Sequence, residues 1–154
     1  MSNSNAARLV AALGKAVGIM PLTLDADGAL ALQVGEDKHL NFQHDGKTDH
    51  FTLFMPLGAA AGEDPAVVYA DMLRANRFWR GTLGATLSLD DQDGAVLAMR
   101  LPCSSLSEED FLTAVERVLD VARDWIPRLA GSGDAGESPL RAHAPPHHAL
   151  MFRV

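Results

Sequence analysis

The sequence predicts an α+β fold, ordered α-β-β-β-α-β-β-α, with a twisted antiparallel sheet and helices packed mainly on one face. Three observations carry this expectation. Five runs alternate apolar and polar residues with a period of two. Three segments repeat apolar residues at helical spacing behind cap signatures, and turns rich in Asp and Gly join the alternating runs.

Ser4 or Asn5 can cap a first helix whose Leu9, Val10, Leu13 and Val17 share one side up to Gly18, with Pro21 ending it. Asp25-Ala26-Asp27-Gly28 is a turn. Leu30, Leu32 and Val34 then alternate with Ala31 and Gln33 as a first strand. Leu40 and Phe42 alternate with Asn41 and Gln43 as a second, and Asp45-Gly46-Lys47 makes the next hairpin connection. The third strand spans Phe51 to Pro56. Its Phe51, Leu53 and Met55 lie on one side, while Phe54 puts a large aromatic on the other, so the outer face is expected to meet more than water.

Asp64-Pro65 joins a cap acceptor to proline at the first helical position, and starts a second helix that carries Val67, Val68, Met72 and Leu73 to about Asn76. The stretch from Leu73 to Pro102 organises the chain. It runs from that helix end through Arg77-Phe78-Trp79-Arg80 and Gly81 into a hairpin, where Leu87 and Leu89 alternate with Thr86, Ser88 and Asp90 and, beyond Asp90-Asp91-Gln92-Asp93-Gly94, Val96 and Ala98 alternate with Leu97 and Met99. Aromatics and arginines are enriched where proteins bury surface against one another.

Ser107, followed by Glu108, Glu109 and Asp110, opens a third helix with a capping-box arrangement. Phe111, Val115, Val118, Ala122 and Trp125 form one stripe and Leu112, Leu119 and Ile126 a second, so this helix is broad-faced and largely covered. Pro127 is expected to end or kink it near Ile126. Residues 1–130 read as a single domain. Residues 131–154, rich in Gly, Ser, Pro and His, read as a flexible tail.

At 154 residues with 47% hydrophobic composition, the chain holds enough apolar matter for one core. Its net charge of −7 argues against nucleic-acid and anionic-membrane partners. The single cysteine, Cys103, allows no intramolecular disulfide, implies a reducing compartment and reads as a buried small hydrophobe. Arg8 and Lys15 interrupt the apolar N-terminal residues, so neither a signal peptide nor a membrane span is expected. The bacterial cytoplasm becomes the expected location once the resemblance described below is added.

Signs of chemistry are weak. With Gly94 as the loop glycine of a calcium site, the first and last ligand positions fall on Leu89 and Arg100; with Gly28 they fall on Thr23 and Val34, so the bidentate carboxylate is missing twice. His39, His44 and His50, with Asp45 and Asp49, gather around the second hairpin, but their spacing matches no zinc pattern. His143, His147 and His148 fall in the tail. No phosphate loop, metalloprotease helix or nucleophile elbow is present. The expectation is therefore a protein that is not an enzyme, with no cofactor and no metal.

The order of elements and the segment LRANRFWRGTLGATLSLDDQDG together resemble the Tir-chaperone (CesT-like) family, the small acidic class I chaperones of bacterial type III secretion. The resemblance extends from about Ala7 to Ala130. A helix ending in Ala75-Asn76 leads through a glycine-containing turn into a Thr-Leu-x-Leu-Asp strand, Thr86 to Asp90. Met55-Pro56-Leu57-Gly58 is similar to the family's early APLG-type segment. Trp79-Arg80 is bulkier than the residues usual after this helix, and the His/Pro-rich tail has no counterpart.

The resemblance implies a homodimer that wraps the N-terminal segment of one or more secreted effectors and keeps it secretion-competent, with a secretion ATPase as a further partner. For the dimer interface it points to Met72, Phe78, Trp79, Leu87 and Leu89, and for effector binding to Leu9, Leu13, Val34, Leu40 and Phe54. Arg77 and Arg80 would pair with acidic groups of the partner. Two other readings compete: a sensory or regulatory binding module of similar architecture, and a metal-dependent enzyme using the hairpin histidines.

Overall fold

The computed structural model describes residues 2–62 and 64–131; the expected tail lies, from residue 132, outside the described residues. Helix α1 (Ser2–Val17) leads to strands β1 (Ala29–Val34), β2 (Lys38–Asp45) and β3 (His50–Ala59). Helix α2 (Pro65–Asn76) and a 3₁₀ turn (Arg77–Trp79) precede β4 (Thr86–Leu89) and β5 (Gly94–Pro102), and α3 (Glu108–Leu129) closes the order expected from the sequence. The five strands form one antiparallel sheet in the order β1-β2-β3-β5-β4.

The hairpins form because their acids act on the backbone. Asp25 Oδ1 accepts from the Asp27 and Ala29 amides, and Asp90 Oδ1 accepts from those of Gln92 and Gly94. A Cβ at position 94 would lie 2.8 Å from Asp90 Oδ2, so a larger residue there would have to displace the carboxylate that holds the turn. These acids are turn acceptors, as the missing calcium pattern implied. In β3 the register shifts between Pro56 and Gly58, where Gly58 has φ +107°, so the Pro-Leu-Gly segment is a bulge in the strand.

Strand alternation divides the sheet into two unlike faces. Leu32, Leu40, Phe42, Leu53, Met55, Leu97 and Met99 point to one face and are buried. Helix α3 lies across β3 and β5 on that face, and α1 packs against α3. Phe111 of α3 meets Phe42 and Phe51 with ring centroids 6.1 and 5.4 Å apart. Ser107 caps α3 by accepting from the Asp110 amide at 3.0 Å, while its hydroxyl donates to Asp110 Oδ2 at 2.7 Å.

Three local expectations need correction. Helix α1 starts at Ser2, so Asn5 lies inside it; the Asn5 side-chain amide donates to the Cys103 carbonyl and its oxygen accepts from Arg8. The end of α1 is set by Gly18 at φ +76°, with the Ile19 amide donating to the Gly14 carbonyl, rather than by Pro21. Helix α3 continues past Pro127 to Leu129. Pro127 sits on its exposed side, where the carbonyl it leaves unpaired can meet water, and buried Leu129 anchors the last turn from the other side.

Candidate functional site

The segment from α2 to β4 carries apolar surface that the protomer does not cover. Asp64 caps α2 by accepting from the Ala66 amide at 3.0 Å, with Pro65 at the first helical position. Met72 is the buried residue of α2, and Val67 and Leu73 are 57% and 71% exposed. Beyond the helix, Phe78 and Trp79 are 76% and 56% exposed, followed by Leu83 at 41% and Leu89 at 39%. Of the seven exposed large hydrophobics among the described residues, only Met20 lies outside this segment. Apolar exposure concentrated on one segment of the chain marks a candidate interaction surface.

The backbone beneath this surface is held against its own preferences. Phe78, Trp79 and Leu83 have φ of 57°, 53° and 52°, a left-handed conformation that costs such side chains about 1–3 kcal/mol each. Thr82 is fully buried, and its Oγ1 has no protein hydrogen-bond partner. Two fixtures hold the segment. The Asn76 side chain donates to the Leu87 carbonyl and accepts from the Leu87 amide, both at 2.8 Å, so it clasps β4. Gly81 lies so close to Ala75 that an added Cβ would come within 3.0 Å of it. The Ala-Asn pair and the following glycine thus have a packing reason for their spacing.

The sheet face opposite α3 is the second surface. Ala31, Asn41, Phe54, Ala98 and Thr86 align in one row across the five strands, and Pro56 pairs with Val96 beside it. Phe54 is half-buried by this row. No helix covers this face among the described residues. The outer edge of β1 has no strand neighbour among the described residues; Ala29 at its start is bonded to Asp25, and the rest is an edge of the kind an added strand can pair with. A shallow groove lies near the α1 end, formed by Ala7, Ala11 and Lys15 with Met20 to Thr23.

The ten residues expected to touch a partner fall into distinct places. Phe78, Trp79 and Leu89 are exposed side chains of the α2–β4 segment, whereas Met72 and Leu87, each 3% exposed, are buried inside the protomer. Leu9, Leu13 and Leu40 are fully buried in the core. They have no side-chain area to offer a client, because the apolar side that periodicity identified is covered by the chain's own elements. Val34 is half-buried at the end of β1 on the core side, and Phe54 alone faces the open side. Val67, Leu73 and Leu83 are exposed as well, although the sequence reading did not single them out. Their signal was the spread of apolar residues over more than one side of α2.

The hairpin histidines do not converge. His39 is exposed on the open face, while His44 is buried on the core face five residues along the same strand. His50 Nδ1 lies 2.6 Å from the Thr48 carbonyl. Asp45 accepts from the Thr48 hydroxyl and the Lys47 amide, and those bonds hold its carboxyl below the usual carboxylate range. His50 and Asp45 thus have roles in the turn. No helix among the described residues is long and apolar enough to cross a membrane.

Similar folds occur in solved complexes. A structure of the ExsC-ExsE complex matches with a TM-score of 0.70 and 21% identity, covering 82% of this chain and 95% of that chain. The HopA1-SchA chaperone-effector complex matches at 0.67 and 19%, covering 82% and 96%. The Yersinia pestis type III secretion chaperone SycH, in complex with a stable fragment of YscM2, matches at 0.61 and 18%, covering 80% and 98%. At these identities the likeness is one of fold. A search of curated proteins returns no match. The family model of the Tir chaperone protein (CesT) family matches residues 8–126, and the chain belongs to that family.

Proposed function

We propose that this chain is a type III secretion chaperone of the bacterial cytoplasm. It pairs with a second copy through the α2–β4 surface and holds the N-terminal segment of a secreted effector in a non-globular, export-competent state. The observation that carries the reading is the concentration of uncovered Val67, Leu73, Phe78, Trp79, Leu83 and Leu89 on one segment of a chain with net charge −7. Family membership supports it, and so do solved relatives that are complexes of a chaperone with its effector.

The two surfaces divide the work. A self-complementary pair needs a compact apolar patch with aromatic anchors, which the α2–β4 segment offers; Met72 and Leu87 support it from below. An unfolded client needs backbone partners and shallow apolar anchors along a path, which the β1 edge, Phe54 and Val34 provide. Wrapping costs the client chain entropy, so it must be long enough to recover that cost through many anchors. Leu9, Leu13 and Leu40 keep the framework rigid. Binding of this kind requires no catalysis.

The test is co-expression with secreted proteins encoded beside this chain. A stable complex containing two copies of the chain and one client N-terminal segment is expected. If no secreted protein co-purifies or depends on the chain for export, the reading is wrong.

A further inference from the structure

One polar cluster lies outside both surfaces. His44 at the end of β2, Asp49 in the turn to β3 and Cys103 just past β5 converge, with one ligand atom of each within 4.8 Å of the others. His44 and Cys103 are 5% and 0% exposed, and Asp49 is half-buried. We propose that these three side chains form a binding site for a divalent cation of the zinc class, with a water in the fourth position.

The donor set fits the ion. Zinc takes imidazole nitrogen, thiolate sulfur and carboxylate oxygen, and three protein ligands with one open position is a common arrangement. A thiolate and a carboxylate together neutralise a dipositive ion, which makes the assembly tolerable in a buried place.

The His44–Asp49 spacing fits as well. His44 Nε2 lies 3.5 Å from Asp49 Oδ1, long for a hydrogen bond made by a buried imidazole. Two ligands on one tetrahedral zinc, each about 2.0–2.2 Å from it, sit roughly 3.3–3.5 Å apart. The scaffold is fixed before any ion arrives. The Cys103 amide donates to the Asp49 carbonyl at 2.9 Å, and the His44 amide to the Gly28 carbonyl at 2.8 Å. Asp49 is held at φ 53°, and the Phe51 ring, 5.3 Å from that of His44, walls the site.

Without an ion, burial and the Asp49 charge push the Cys103 thiol up to about 11. Coordination forms the sulfur–metal bond and releases the thiol proton to solvent, so binding tightens as pH rises. The bound ion would tie the β2–β3 turn to the end of β5, where the chain leaves the sheet for α3.

The experiment uses the tag-free full chain with His143→Gln, His147→Gln and His148→Gln, so that tail histidines cannot bind metal. Cobalt(II) is the spectroscopic probe and zinc its competitor. One cobalt per protomer is expected, with a thiolate-to-cobalt charge-transfer band in the near ultraviolet that zinc abolishes. Cys103→Ser should remove the band, and His44→Gln should weaken zinc binding at least tenfold. Asp49→Asn alters a partly exposed side chain and keeps the test valid if the buried variants misfold; it too should lose at least tenfold. Absence of a band, a band that survives Cys103→Ser, or unchanged zinc affinity in folded Asp49→Asn overturns the site. So does zinc binding by the native chain that vanishes with the three tail substitutions alone.

Discussion

Phe42, Phe51 and Phe111 pack ring against ring beneath α3, each no more than 1% exposed, whereas Phe78 and Trp79 stand more than half exposed beyond the end of α2. The same chemical types thus meet opposite fates within one domain. In α3 the apolar residues fall on one broad side, most of which is buried against the sheet and α1. In α2 they spread around the axis; Met72 reaches β4, and Val67 and Leu73 point elsewhere. The uncovered half has left-handed aromatics and the unpartnered Thr82 hydroxyl. The protomer thus buries most of the apolar side of α3 and leaves apolar side chains of the α2–β4 segment exposed.

That contrast can be broken first where it is strongest. Phe111→Ala should lower stability by about 3–5 kcal/mol in urea denaturation, the cost of emptying a closed aromatic core. A loss below about 1 kcal/mol would show that this half is not tightly filled. Next in size, Leu89→Asp should weaken self-association at least about 30-fold while leaving the protomer folded, the effect of losing a contact worth about 2 kcal/mol. Light scattering should then report 16.4 kDa in place of twice that mass. Leu87→Asp would be a poorer probe, because Leu87 is 3% exposed and the charge would be buried within the protomer itself.

Smaller effects sharpen the comparison. Phe54→Ser on the open face should cut affinity for an effector N-terminal peptide about tenfold and change stability by less than about 1 kcal/mol, read by titration and by urea. Smallest of all, Phe78→Gly should stabilise the isolated protomer by about 1 kcal/mol, because glycine adopts the left-handed conformation without strain. Measured in the Leu89→Asp background, a loss of stability instead would mean that the Phe78 ring contributes more to the protomer than its backbone costs.

Much of the architecture was legible because local rules and tertiary packing agree. The Asp25 and Asp90 turns, the Asp64-Pro65 start and the Ser107 cap each rest on contacts within four residues. Contact residues were harder to read. Periodicity identifies the apolar side of α1 and β2 but not what covers it, so Leu9, Leu13 and Leu40 looked available when α3 and the sheet already occupy that side. Asn76 could be recognised as a motif residue, yet its task depends on Leu87 approaching from the next strand. The meeting of His44 and Asp49 with Cys103 depends on β5 lying next to β3 rather than next to β4 alone, and no local spacing encodes that.

The Asn76 side chain has a consequence for how copies of this protein can stack. By occupying both the amide and the carbonyl of Leu87, it fills the place where a sixth ribbon would have to dock beside β4. Endless fibre growth needs two vacant margins on every molecule, one to give and one to receive. With β4 blocked and only β1 vacant, lengthening stops after a single addition. The chain is thereby kept from becoming the seed of its own aggregate.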